Sequence, residues 1–325
     1  MDFDVHCLDK GISADHKVEA SEAGIEKSRA EPQFCISMVL SNSTVQSYLY
    51  SAQHGFRLLG RRAYTGACLT QLRHLNFTDG CYPQVLTAAT DGYIAVFTNV
   101  RPLEDGSEDS TDILVTKLHQ SSMKSLDMRS ITTEAGTSYL VVTGGDDDAI
   151  GVLHLYSPSL TLPTKPTPEQ HVSTDSSTAT TPILLPDQSS VSASSPDPIQ
   201  PPQTFTNSQK QALPQYEVRN KSIVRSAHAA AVTGLGIVRL ENGGRDAVIA
   251  TTGNDQRVKT WRLVGWQSTF PKVHLLDNRY SGVADAGDLE VVRGWYGDEG
   301  EISHDDRSEE RILVAGVGIE VWSVS

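Results

Sequence analysis

Four residues in the second half of the chain have the types of a nucleophile–base–acid set: His228, Thr251, Asp255 and, closing the stretch, Trp261. A threonine hydroxyl, activated by a histidine that a carboxylate orients, is the arrangement that attacks acyl carbons. His119, Thr143 and Asp147 stand in the same order. The adjacent acids Asp146, Asp147 and Asp148 could offer oxygen ligands to a divalent cation. Alternate side chains on a tight turn diverge, however, and Asp147 already has a turn role. The run GVGIEV at 316–321 lacks the third glycine and the helix of a dinucleotide fingerprint and reads as a glycine turn. The sequence holds no GxSxG, P-loop, HExxH or Cys/His pairing. His6, His16, His54 and His74 are isolated and read as ordinary surface or core polar groups. No catalytic, cofactor-binding or metal-ligating residue is therefore assigned.

Composition narrows the function classes. The 325 residues carry a formal charge of −13, which argues against a general polyphosphate-binding surface. One dense basic cluster, Arg57, Arg61 and Arg62 with Phe56 and Tyr64 beside it, is the first candidate for RNA phosphate contact. The competing reading of that cluster is an exposed loop. The opening MDFD does not read as a secretory signal, and no apolar run approaches the roughly 18 residues that span a bilayer. Cys7, Cys35, Cys68 and Cys81 are scattered, so neither a disulfide framework nor a zinc site is expected. Sequons at Asn42, Asn76 and Asn220 read as chance occurrences, and the chain reads as cytosolic or nuclear.

The elements that hold these residues emerge from internal repetition. VLTAATDGYIAVF at 85–97 aligns with VVTGGDDDAIGVL at 141–153, with IATTGNDQRVKTW at 249–261 and with a shorter ILVAGVGIEVW ending at Trp322. A fainter copy, SMVLSNSTVQSYLY, begins at Ser37. Each has an apolar strand, a Gly/Asp/Asn turn and a second strand of period two, which is a β-hairpin. The closing positions Tyr48, Phe97, Leu153, Trp261 and Trp322 are 49, 56, 108 and 61 residues apart. The long interval contains 157–215, a Ser/Thr/Pro/Gln-rich segment nearly devoid of aromatics, which reads as a disordered insertion. Removing its 59 residues leaves 49 and restores the rhythm. Glu104–Asp112 and Asp298–Glu310 read as solvated acidic loops.

A period somewhat above 40–45 with elastic loops predicts an all-β, WD40-type β-propeller of about five degenerate blades, in an incomplete ring. Blades occupy 1–156 and 216–325, on either side of the insertion. HQSSMKSLDM at 119–128 and HAAAVTGLGI at 228–237 read as the histidine-led entries to inner strands, and RAYTGACLTQL from Arg62 shares their leucine spacing. In such repeats the turn aspartate accepts a hydrogen bond from histidine, the histidine meets a Ser/Thr hydroxyl, and the hydroxyl meets the tryptophan N–H. Every buried polar group is then satisfied, so His228, Thr251, Asp255 and Trp261 read as a structural tetrad. His119, Thr143 and Asp147 form a partial one, because Leu153 replaces tryptophan. Thr87 and Asp91 belong to another, with Arg62 at the histidine place.

The segments VLTAATDGYIAVF, VVTGGDDDAIGVLHL, TTGNDQRVKTWRL, VADAGDLEVV and VAGVGIEVWSV together resemble the C-terminal portion of the WD repeat-containing protein 6 family. Ala88-Ala89-Thr90-Asp91-Gly92, the Gly144–Asp147 turn and the Val283–Val292 line carry the specific resemblance. It implies a non-catalytic, cytoplasmic adaptor whose partner is a Rossmann-fold tRNA 2′-O-methyltransferase acting on the wobble ribose. It also implies no cofactor on this chain, and tRNA held mainly through the partner. The alternative is a general WD scaffold in trafficking, ubiquitin ligation or signalling.

Overall fold

The computed structural model describes residues 2–8, 32–64, 66–75, 83–98, 100, 113–159, 216–292 and 310–324. These residues build five antiparallel sheets arranged as a five-bladed β-propeller. The first blade is β1 (Asp2–Leu8), β2 (Gln33–Leu40), β3 (Thr44–Ser51) and β4 (Gly55–Ala63). The second is β5 (Leu69–His74), β6 (Val85–Ala89), β7 (Tyr93–Phe97) and β8 (Ile113–Lys117). The third runs from β9 (Met123–Thr133) through β10 (Gly136–Gly145) and β11 (Ile150–Pro158) to β12 (Glu217–Val224). In the fourth, β13 (Val232–Glu241), β14 (Asp246–Gly253), β15 (Arg257–Val264) and β16 (Lys272–Tyr280) follow the same order. The fifth pairs β17 (Ala284–Val292) with β18 (Arg311–Ser323).

In the second, third and fourth blades the middle strands β6, β10 and β14 are apolar on both sides because a blade lies against each face. On β10, Tyr139 and Val141 enter the core shared with Leu86 and Ile94 of the second blade, while Leu140 and Val142 enter the one shared with Ile237 and Ile249 of the fourth. Two further cores lie between the first and second blades, around Leu72 and Phe97, and between the fourth and fifth, around Val248 and Leu289. Four cores thus serve four interfaces, and among the described residues none joins the fifth blade to the first. Among the described residues the blades form an arc whose first and fifth members share no core.

Inner strands are also stitched across the blade boundaries. The Leu72 and His74 backbone N–H groups on β5 donate to Asp2 and Asp4 on β1, at 2.8 and 2.7 Å. The Ile237 N–H on β13 donates to Asp127 on β9 at 2.7 Å.

Register places alternate residues of the first blade on opposite faces. Val39, Ser37 and Cys35 turn toward the second blade, with Asp2, Asp4 and His6 opposite them on β1. The uncovered face carries cross-strand rows such as Phe3–Met38–Gln46–Arg61 and Val5–Ile36–Tyr48–Leu58.

In the fifth blade, the Val324 N–H donates to the Glu310 carbonyl at 3.2 Å. A straight strand of 13 residues could not bring its ends together, so β18 doubles back near Gly318, whose φ is +123°. This is the hairpin read from ILVAGVGIEVW. The insertion boundary needs correcting. Ser157 and Pro158 pair with Thr137 and Gly136 on β10, so the polar segment was entered two residues too early. Ser157 is a buried strand residue despite its composition. The remainder, 160–215, lies outside the described residues, as do His16, Asn76, Cys81, Glu104–Asp112 and 298–309.

Candidate functional site

The fourth-blade tetrad is assembled from four places. His228 sits in the segment before β13, Thr251 on β14, Asp255 in the β14–β15 turn and Trp261 on β15. The Trp261 indole Nε1 lies 2.9 Å from Thr251 Oγ1, Thr251 Oγ1 lies 2.8 Å from His228 Nε2, and His228 Nδ1 lies 2.8 Å from Asp255 Oδ1. An indole can only donate. Thr251 therefore accepts from Trp261, and the Asp255 carboxylate, which can only accept, takes Nδ1–H. In the neutral imidazole Nε2 then carries no proton and accepts from the Thr251 hydroxyl. Asp255 also accepts the backbone N–H groups of Ala229 at 2.9 Å and Arg257 at 3.2 Å. Burial disfavours its charge, yet these bonds and His228 hold its carboxyl below the usual range. Burial lowers the pKa of His228, and the Asp255 carboxylate opposes it without prevailing. The histidine is thus held neutral, consistent with the tautomer that the bond directions require.

This geometry can bind blade to turn, but not act on a substrate. Thr251 is 0% exposed and His228 is 2% exposed. The third blade repeats the chain: His119 Nδ1 meets Asp147 Oδ1 at 2.7 Å, and Nε2 meets Thr143 Oγ1 at 2.8 Å. Leu153 stands where Trp261 stands and is fully buried. The neighbouring acids diverge as their turn requires. Asp146 pairs with Lys124 at 3.3 Å, while Asp148, at φ +54°, presents its carbonyl to the His228 N–H at 3.2 Å. Among the described residues no group of three or more His, Cys, Asp or Glu side chains is placed to hold a metal ion.

In the second blade the histidine place is filled differently from the sequence reading. The Tyr64 hydroxyl, not Arg62, donates to Asp91 at 2.9 Å. Burial and the adjacent carboxylate push that phenol well above its ordinary value. Arg62 is instead a buried residue of β4, paired across from Val45. The proposed basic cluster is split for the same reason. Arg57 pairs with Leu49 and Arg61 with Gln46, so these two exposed arginines project from opposite faces of the first blade. They lie on a strand, not in a loop, because Phe56, Leu58 and the arginines satisfy its period.

His74 is not the isolated group its sequence context suggested. Its Nε2 lies 2.8 Å from Ser37 Oγ, its Nδ1 lies 3.4 Å from Asp4 Oδ2, and Cys35 Sγ approaches Nε2 at 3.9 Å. The order Ser–His–Asp resembles a hydrolase set, but Ser37 is 0% exposed and is also bonded to Ser47 Oγ at 2.6 Å. Burial pushes the Cys35 thiol up to about 11, which removes thiolate chemistry near neutral pH. The group joins β1, β2 and β5 across the first blade boundary. Period-two placement on β1 and β2 was the available signal, but the partners are 70 and 37 residues from His74.

Asn220 is equally committed, donating to the Trp266 and Ser268 carbonyls at 3.3 and 2.8 Å. Cys7, Cys35 and Cys68 are free thiols. Among the described residues no helix is long and apolar enough to cross a membrane.

The fold and these buried hydrogen-bond chains define the class: a β-propeller whose blades are locked in the manner of WD repeats. Neither a family model nor a curated protein matches the chain.

Proposed function

We propose that this chain is a non-catalytic WD-type adaptor that supports 2′-O-methylation of the tRNA wobble ribose by a partner methyltransferase. The observation that carries the non-catalytic part is the burial of every hydroxyl–histidine–carboxylate chain described above. Their polar atoms are spent on one another, leaving loops and sheet faces as the surfaces on which partners can act. The methyltransferase part rests on the resemblance of the Ala88–Gly92, Gly144–Asp147 and Val283–Val292 segments to the WD repeat-containing protein 6 family. In this reading S-adenosylmethionine and the reacting groups belong to the partner, and the workplace is the cytoplasm. With a charge of −13, the chain contributes protein contacts more than phosphate contacts.

The test is deletion of the gene followed by measurement of wobble ribose methylation, with affinity purification of the tagged protein alongside. The expected result is loss of the methyl group and a methyltransferase as the dominant partner. Unchanged methylation sinks the proposal and leaves the coarser reading, a propeller scaffold for another assembly.

A further inference from the structure

We propose that the uncovered face of the first blade is a self-association surface on which a second copy of this chain docks, blade against blade. Three observations converge on it. The face is apolar over a full four-stranded sheet, with Phe3 65% exposed, Val5 46%, Phe56 68% and Leu58 52%. Tyr50 and Phe56 pack on it with ring centroids 4.8 Å apart and planes tilted by 44°, and Tyr48 meets Phe56 edge-on at 6.5 Å. Among the residues that the strand register places there, Arg61 alone is charged and none is acidic, in a chain with 40 acids. Depletion of charge with enrichment of Phe, Tyr and Met is the composition of an interface core.

The opposite end of the arc is mixed: β18 exposes Val317, Ile319 and Val321, but acidic residues stand beside them. The outward register of the fifth blade pairs Glu290 with Leu313 and Asp288 with Ala315. Stacking copies head to tail would set those carboxylates against a face whose one charged residue in the strand register is Arg61. Glu290 already has a raised pKa from burial and from Asp127, and removing more water would cost further. A two-fold pairing of the first blade with itself meets no such penalty. Sheets pack face to face about 10 Å apart, and the first blade offers such a face.

The area suffices. Four strands of seven to nine residues span roughly 19 by 27 Å at the ordinary strand spacing and rise. Counting both copies, that covers roughly 1,000 Å² before side-chain relief is added, the lower bound for a specific interface.

Sedimentation velocity of the full chain at tens of micromolar tests this directly. The expected species has twice the 35.3 kDa chain mass. Val5→Glu and Phe56→Glu, on the inner and outer strands, should each shift it to monomer, weakening association at least tenfold. Phe270→Glu, at a site 85% exposed elsewhere, should leave the dimer intact. Far-UV circular dichroism and a cooperative melt establish that each variant is folded. Val5→Thr and Phe56→Ser take their place where a carboxylate unfolds the blade. A monomeric wild-type chain overturns the proposal, whether the face is then covered by the chain's own 9–31 segment or by another protein. A dimer indifferent to both first-blade positions overturns it as well.

Discussion

The Trp261 indole N–H donates to the Thr251 hydroxyl across 2.9 Å, the outer end of a hydrogen-bond chain whose direction the acceptor-only Asp255 carboxylate sets from the other end. Thr251→Val keeps the shape but strands Trp261 Nε1 and His228 Nε2 together. The expected loss is about 2–4 kcal/mol, because two buried groups lose their partner at once. Trp261→Phe removes only a donor, leaves the Thr251–His228 bond in place and should cost less. In the double variant one stranded group has gone, so its loss should fall short of the sum of the two single losses. Urea midpoints of the three variants check this; strict additivity contradicts the chain.

Acid should unlock the blades in two stages. His228 has a lowered pKa in the folded state, so the unfolded chain binds its proton more readily. Its contribution is present above the ordinary histidine value and is lost as pH falls from about 6.5 toward the folded value. Asp255 and Asp147 are lowered too, and their contribution is lost below about pH 4, as pH falls toward their folded values. Melting temperature should therefore decline from about pH 6.5 downward and fall again at carboxylate pH. His154, whose pKa is lowered by burial and then by Arg219, contributes to the first stage with the same sign, so His228→Asn should make that stage shallower while retaining the second. A first stage unchanged in that variant assigns it to another histidine.

The hairpins of the second to fourth blades were legible because each side of their middle strands faces a blade, so the apolar runs and their Asp/Gly turns recur with little disguise. The first blade, with one open face, gives the fainter copy. His228 and His119 were legible for a related reason: tetrad partners in one blade keep fixed spacings of 23 to 24, 4 and 6 residues. Contacts between blades have no such spacing. Tyr64 displaced Arg62 because β4 runs through Ala63, which turns Arg62 into the sheet and leaves the next residue to meet Asp91. His74 was invisible because its partners come from two strands of the preceding blade. Ser157 shows the opposite failure: a polar composition hid a strand whose partner, β10, dictates its conformation.

The same substitution should have opposite consequences in two blades. The Trp322 Nε1 is buried without an acceptor among the described residues. Val314, two residues beyond the one across from Trp322 as Thr251 is from Trp261, has no hydroxyl to offer. Trp322→Phe removes an unsatisfied donor, so it should be neutral or stabilise by about 1 kcal/mol. Packing against the fourth-blade core is largely kept. Trp261→Phe, by contrast, destabilises. Parallel thermal melts of the two variants decide, and an equal loss in both means that area alone governs these tryptophans.

Glycine 151 is where the third-blade chain is most easily broken from outside it. A Cβ at Gly151 would stand 2.4 Å from Thr143 Oγ1 and 2.7 Å from His119 Nε2, inside the hydrogen bond itself. Neither atom can yield without lengthening a buried bond, and Leu118 Cδ2, also at 2.7 Å, closes the remaining space. Gly151→Ala should therefore cost about 1–3 kcal/mol through overpacking. Gly282→Ala meets nothing within 4 Å, at an ordinary φ, and should change stability by less than about 0.5 kcal/mol. Combining Gly151→Ala with His119→Ala relieves the clash, so the pair should cost less than the two single losses added together. Full additivity in the urea midpoints would show that Gly151 is held by the backbone alone.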